Sequence, residues 1–255
     1  RYAVKIPIAA VGIEEISAAI NVLLSGQITM SKNVELFEKE FANYIGSKYA
    51  IMVNSGSSAN LLAISAITNK YGNYNIPKKS EILIPAICWS TSVWPLIQCN
   101  IKPVFVDCDP NTFNIDINDL EDKITPKTRG ILLVHVLGNC TNMSKLMKIV
   151  EKHNLILIED TCEALGTKYK NKMLGSFGTM GTYSFYYSHH ITTGEGGMIV
   201  CDDDDDYNLL KVLRSHGWTR DVDKEIINKR KLDYTDKLNK KWIFINQGYN
   251  LRSTE

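Results

Sequence analysis

Seven short apolar runs rich in β-formers, at positions 49–53, 81–85, 103–107, 130–136, 155–159, 182–186 and 197–201, alternate along the chain with stretches of helical spacing. Each run reads as apolar on both faces, so its strand must be covered from two sides, and the intervening helices are what cover it. The alternation predicts an α/β fold of three layers, helix, sheet, helix, around a largely parallel mixed sheet. Two helical stretches come first. In residues 13–24, Ile13, Ile16, Ala19, Ile20 and Leu23 recur at helical spacing, and a second stretch covers residues 34–44. With 255 residues, 44% of them hydrophobic and 22% charged, the chain can bury the core such a sheet needs.

Lys plus Arg total 29 against 28 Asp plus Glu, a formal charge of +1. No one-sided basic surface is legible in that balance, so nucleic acid is not an expected partner. The longest apolar runs fall far short of the roughly 18 residues of a membrane span, and the first residues carry no signal-peptide pattern. A soluble, cytoplasmic protein with no membrane partner is expected. Cys88, Cys99, Cys108, Cys140, Cys162 and Cys201 show no C-x-x-C pairing and are expected to be mostly small buried hydrophobes in a reducing compartment. The chain opens on Arg1 and closes within what reads as a new element at 248–255, so both ends are expected to have been trimmed.

Sheets of this kind bind ligands beyond the carboxyl ends of their strands. Asn54-Ser55-Gly56-Ser57-Ser58-Ala59-Asn60 sets small residues where the first strand feeds a helix. Backbone N–H groups and hydroxyls at a helix start suit an anion, although an ordinary Ser cap fits the segment equally well. It has neither the Lys of a P-loop nor G-x-G-x-x-G spacing. Asp160 reads either as an acid that holds a proton on a ring nitrogen or as one that caps the next helix or pairs with a neighbouring base. Trp89 reads as a core aromatic or as a flat surface for a planar cofactor. The five Asp at 202–206 read as a solvated turn that caps the helix carrying Leu209, Leu210 and Leu213, His135 as a hydrogen-bonded wall residue of the site, and His216-Gly217 as a helix end. No metal site is expected.

A phosphate cup, a stacking aromatic, a strand-end Asp and a Ser on a later strand are together the parts of a vitamin B6 phosphate site. Their order, with Gly12-Ile13-Glu14-Glu15, Phe37-Glu38-Lys39-Glu40-Phe41-Ala42, Pro103-Val104-Phe105-Val106-Asp107, Gly194-Glu195-Gly196-Gly197 and Gly248-Tyr249-Asn250-Leu251-Arg252, resembles the DegT/StrS sugar aminotransferase family of fold-type-I enzymes over nearly the whole chain. The resemblance implies that Gly56, Ser57 and Ser184 bind the cofactor phosphate, that Trp89 lies against its ring, that Asp160 pairs with the ring nitrogen, and that Glu163 contacts the ring hydroxyl. It further implies that Asn250 reaches the phosphate of the neighbouring subunit in a homodimer. Residues 1–247 would form the cofactor-binding large domain with the N-terminal helices, and 248–255 would begin a small domain.

The family's aminotransferases carry a Lys, linked covalently to the cofactor aldehyde, where Tyr183-Ser184-Phe185-Tyr186-Tyr187-Ser188-His189 places His189. An imidazole forms no stable link of that kind but carries protons near neutral pH. The chain therefore resembles the branch that removes the C3 hydroxyl of a nucleotide-linked 4-keto-6-deoxyhexose, using pyridoxamine 5'-phosphate and leaving pyridoxal 5'-phosphate. By that resemblance His189 is first base and then acid, with Asp160 keeping the ring nitrogen protonated. His190, adjacent, matches the lysine position less well. Cys162 matches one ligand of the iron–sulfur cluster of one subtype, but no cysteine follows Cys201. A cluster needs about four thiolates, so none is expected, and L-glutamate is the expected amino donor. Two other readings stay open. One is a pyridoxal-phosphate-dependent nucleotide-sugar 4-aminotransferase with a displaced lysine among Lys168, Lys170 and Lys172. The other is a non-catalytic family member acting as a dimer partner or sugar-binding protein.

Overall fold

The computed structural model describes residues 11–220, 222 and 242–255. Among them, α1 (Ile13–Ser25) and α2 (Lys32–Ile45) lead into β1 (Tyr49–Val53), α3 (Gly56–Ile67), β2 (Glu81–Pro85), α4 (Ser90–Gln98) and β3 (Lys102–Val106). Then follow α5 (Ile117–Asp122), β4 (Thr128–Val134), α6 (Met143–His153) and β5 (Ile156–Asp160). A short hairpin, β6 (Lys168–Tyr169) and β7 (Lys172–Met173), precedes β8 (Met180–Ser184), β9 (Gly197–Cys201) and α7 (Asp204–Arg214).

The main sheet runs β1-β9-β8-β5-β4-β2-β3. Neighbours from β8 to β3 pair in parallel, while β9 is antiparallel to both β1 and β8. Every strand of this sheet except β9 thus points the same way, and their carboxyl ends share one edge. Side chains alternate between two cores, as the two-sided apolar runs require. Ile82 and Ile84 of β2 join Leu62 of α3 and Leu209 and Leu213 of α7, whereas Leu83 between them joins Leu120 of α5 and Leu146 of α6. Beneath β1, β8 and β9, Phe41 of α2 packs edge-on against Tyr183 and Phe185. This is the three-layer α/β fold with a largely parallel mixed sheet that the alternation implied.

Some local expectations are corrected. The run that becomes β3 is not covered on both faces: it ends the sheet, and Phe105 is 49% exposed. Only Cys201 is buried, and the other five cysteines are half-buried. The apolar stripe of α1 is real in sequence, yet the helix buries none of its residues. Asp203 caps α7 by accepting from the N–H groups of Asp205 and Asp206, as the acidic run suggested, but Asp204, Asp205 and Asp206 form the helix's first turn and not a solvated turn, and Asp206 is buried. The last residues run back along the sheet: Tyr249 N–H donates to Leu213 C=O, Asn54 N–H to Leu251 C=O, and Ser31 N–H to the Glu255 carboxylate. No helix among the described residues is long and apolar enough to cross a membrane.

Candidate active site at the strand carboxyl ends

The crevice lies where β1, β2, β4, β5 and β8 end. Ser55 caps α3, its Oγ accepting from Ser58 N–H at 3.1 Å. Cap and anion cup are compatible, because the cap uses the Ser58 donor and the first-turn N–H groups of Gly56 and Ser57 have no intrahelical acceptor. At Gly56 the fold leaves no room for a side chain: a Cβ there would lie 2.5 Å from Ser184 Cβ and 3.1 Å from Cys162 Sγ. The start of α3, the end of β8 and the turn after β5 therefore meet at this residue. Gly197 serves the same junction, since its Cβ would come within 2.3 Å of the Ser55 carbonyl. Ser57 Oγ–H donates to Thr91 Oγ1 at 3.1 Å, tying the cup to α4.

Asp160, at the end of β5, is 5% exposed. Its Oδ2 accepts from Asn60 Nδ2 and from Ser92 Oγ, both at 2.8 Å, and its Oδ1 accepts from Cys162 N–H at 3.2 Å. Asn60 Oδ1 accepts in turn from Thr182 Oγ1–H of β8 at 2.6 Å. Burying a carboxylate costs several kcal/mol, and bonds to a charged acceptor, each worth roughly 1.5–3 kcal/mol, offset that cost. Asn60 and Ser92, distant in sequence, thus hold Asp160, and because β5 is followed by the β6–β7 hairpin and not by a helix, the helix-cap reading fails. The adjacent Glu159 points the opposite way along the strand. It is fully buried, accepts from the N–H groups of Gly175, Phe177 and Gly178, and lies 3.0 Å from His135 Nε2. His135 is hydrogen-bonded as expected, though through Glu159 and not toward the Asp160 carboxylate, and its backbone N–H donates to Asp160 C=O.

Glu163 is exposed, and its Oε2 accepts from the N–H of Leu137 at 2.7 Å. Leu137 has a left-handed backbone, φ 55°, so the carboxylate is tethered to a tight turn after β4. His189 is half-buried on the turn after β8, with its N–H donating to Tyr186 C=O at 3.0 Å. Burial and then the neighbouring His190 hold its pKa below the ordinary 6.5, against the opposing pull of Glu163 and Asp160. Its imidazole is consequently neutral near pH 7, the form a base requires. His190 is exposed. Trp89 is 73% exposed at the start of α4, which removes the core-aromatic reading. Asn250 pairs through its backbone with Ser215, and its Oδ1 accepts from Arg252 Nε at 3.1 Å. Its neighbour Leu251 is bonded to the base of the cup, and the atom of Asn250 that meets Arg252 is the amide oxygen, not the amide nitrogen.

The structure thus gathers Gly56, Ser57, Ser184 and Asp160 with Glu163 and His189 at one edge of the sheet. The lysines of the displaced-lysine reading sit on the β6–β7 hairpin, where Lys170 donates to Ser144 Oγ and Lys172 lies over the Phe177 ring. Burial and the Asp160 charge push the Cys162 thiol well above its ordinary range, so it stays protonated. Sequence reasoning missed Asn60, Ser92 and Thr182. Asn60 was within reach, because it follows Gly56 by four residues and so shares its helical face. Ser92 and Thr182 join Asp160 only through the tertiary fold.

The fold and the crevice define a fold-type-I, aminotransferase-like protein. The sequence pattern of the DegT/DnrJ/EryC1/StrS aminotransferase family matches residues 10–255, and the chain belongs to that family. The GDP-4-keto-6-deoxy-D-mannose 3-dehydratase of Escherichia coli O55:H7 is 45% identical over 244 residues, which are 94% of this chain and 62% of that one. The enzyme of the same name from Yersinia pseudotuberculosis is 40% identical over 246 residues, 95% of this chain and 61% of the relative. A solved structure of the E. coli GDP-4-keto-6-deoxy-D-mannose-3-dehydratase with bound hydrated PLP superposes with a TM-score of 0.90 at 42% identity, covering 99% of this chain and 65% of the other. The chain spans less than two thirds of the length of these relatives.

Proposed function

We propose that this chain is the pyridoxamine-phosphate-dependent 3-dehydratase of a nucleotide-linked 4-keto-6-deoxyhexose, acting as a cytoplasmic homodimer with L-glutamate as amino donor. The two relatives at 45% and 40% identity, named for a GDP-linked substrate, support a GDP-sugar. The observation that carries the reading is His189: a half-buried imidazole, within the field of Asp160 and Glu163, stands where the family's aminotransferases have lysine.

The residues present fit the cofactor. The first-turn N–H groups of α3 and the Ser184 hydroxyl, packed around a residue with no side chain, suit a phosphate. Asp160, whose Oδ1 is bonded only weakly, by the Cys162 N–H at 3.2 Å, suits a protonated ring nitrogen. When bound, pyridoxamine phosphate supplies an amine that condenses with the sugar's C4 ketone and a ring that stores the electron pair released at its C4′ carbon. Gly56, Ser57 and Ser184 hold the phosphate, Trp89 covers a ring face, and Glu163 meets the ring hydroxyl. Asn250 serves the phosphate site of a second copy, and the large domain ends at residue 247. Asp160 keeps the ring nitrogen protonated. His189, neutral near pH 7, takes the proton at C4′ and, once charged, delivers it to the C3 hydroxyl as that group leaves. A lysine here would return the proton to C4 of the sugar and complete a transamination.

Purified protein supplied with pyridoxamine phosphate, glutamate and GDP-4-keto-6-deoxymannose is expected to release a sugar that lacks the C3 oxygen and keeps the C4 ketone. A product with a C4 amine and an intact C3 hydroxyl overturns the proposal.

A further inference from the structure

Two side chains, assigned by no motif, converge on a single oxygen of Asp160. Asn60 and Ser92 are 2% and 1% exposed, and both donate to Oδ2 at 2.8 Å. With both lone pairs of Oδ2 taken, Oδ1 is left with a long bond, 3.2 Å from Cys162 N, and the Cys162 thiol, a weak donor, is a further neighbour of the carboxylate. Oδ1 is therefore the oxygen with capacity for a partner in the crevice. The orientation of the Asn60 amide is fixed from its far end, because its Oδ1 accepts from Thr182 Oγ1–H at 2.6 Å and its Nδ2 must then face the carboxylate. The donors come from the two helices that matter most to the crevice. Asn60 lies one turn after Gly56 on α3, and Ser92 donates its N–H to the carbonyl of Trp89 at the start of α4.

We infer that Asn60 and Ser92 are positioning residues that lock the Asp160 carboxylate so that Oδ1 alone receives the ring N–H of the cofactor, an inference that rests on the function proposed above. The helix that cups the phosphate then also aims the acid at the opposite end of the ring, and the helix that carries the stacking aromatic supplies the second clamp. With either donor removed, Oδ2 becomes a competing acceptor and the carboxylate is free to turn. Ser92 is the sharper probe, since losing Asn60 also leaves the buried Thr182 hydroxyl with only its long bond to Glu159 C=O, 3.4 Å.

The test titrates the wild-type chain, Ser92→Ala, Ser92→Thr and Asn60→Ala with pyridoxamine phosphate. It reads affinity together with the pH at which the bound ring nitrogen loses its proton, followed by absorption. Ser92→Ala is expected to bind about tenfold or more weakly and to release the ring proton about one pH unit lower. Ser92→Thr restores both, and Asn60→Ala moves both in the same direction as Ser92→Ala. If the ring-nitrogen titration of Ser92→Ala matches wild type, whether or not affinity falls, the positioning role is overturned while the proposed function stands. If the wild-type chain binds no cofactor, the proposed function falls and this inference with it.

Discussion

Under the proposed function a single side chain, His189 on the turn that follows β8, would serve the cofactor as a proton carrier where a lysine would anchor it by a bond. Burial and the charge of His190 lower the pKa of His189, and Glu163 and Asp160 raise it. A base must be neutral, so the acid limb of the kcat/KM profile is expected below pH 6.5, the ordinary histidine value. His190→Gln removes a repulsion and moves that limb upward, whereas Glu163→Gln removes an attraction and moves it downward. If both variants keep the wild-type limb, another group sets it. At this scale the sequence was informative where a residue's place in the chain defines its surroundings. Gly56 and Ser57 start a helix and Asp160 ends a strand, so their position at the crevice followed from the element pattern. Asn60, Ser92 and Thr182 owe their roles to packing between elements far apart in sequence, and no local pattern records it.

Among the elements, α7 shows how an acidic run is accommodated and what it costs. Asp203 caps the helix, but Asp206, 1% exposed, is turned inward against Tyr74 and Asn73. Burial pushes its carboxyl up to about 6, Tyr74 opposing the shift and the Asp203 charge adding to it. Because this group binds its proton more tightly folded than unfolded, it is neutral in the native state between its ordinary 3.8 and about 6, where the unfolded chain is already ionised. Stability is therefore lost as pH rises through that window, by about 1–3 kcal/mol in all. The stability of Asp206→Asn relative to wild type, from urea unfolding, is expected to improve between pH 4 and pH 6 and to level off above it. A difference that is constant with pH contradicts the assignment. The main elements were legible because each long run or helical stretch repeats its period several times. The β6–β7 hairpin was not, since strands of two residues carry no period. Exposure was also misjudged for β3, because strand order, which makes it an edge, is not written in any single run.

For the molecule as a whole, the topology does the gathering. With every strand of the main sheet but β9 pointing one way, turns separated by up to about half the chain deliver the cup, the strand-end acid and the imidazole to the same edge. Family membership follows from the chain's match over residues 10–255, and the architecture agrees with the solved E. coli relative at a TM-score of 0.90. Under the proposed function, the histidine is what separates this chain from the family's aminotransferases, so the decisive measurement restores the amine. His189→Lys, incubated with pyridoxal phosphate, is predicted to gain a new absorption band and a borohydride-fixable bond that maps to position 189, whereas wild type shows neither. If the variant's spectrum and fixation remain those of wild type, side chain 189 does not face the cofactor, and the dehydratase account is contradicted.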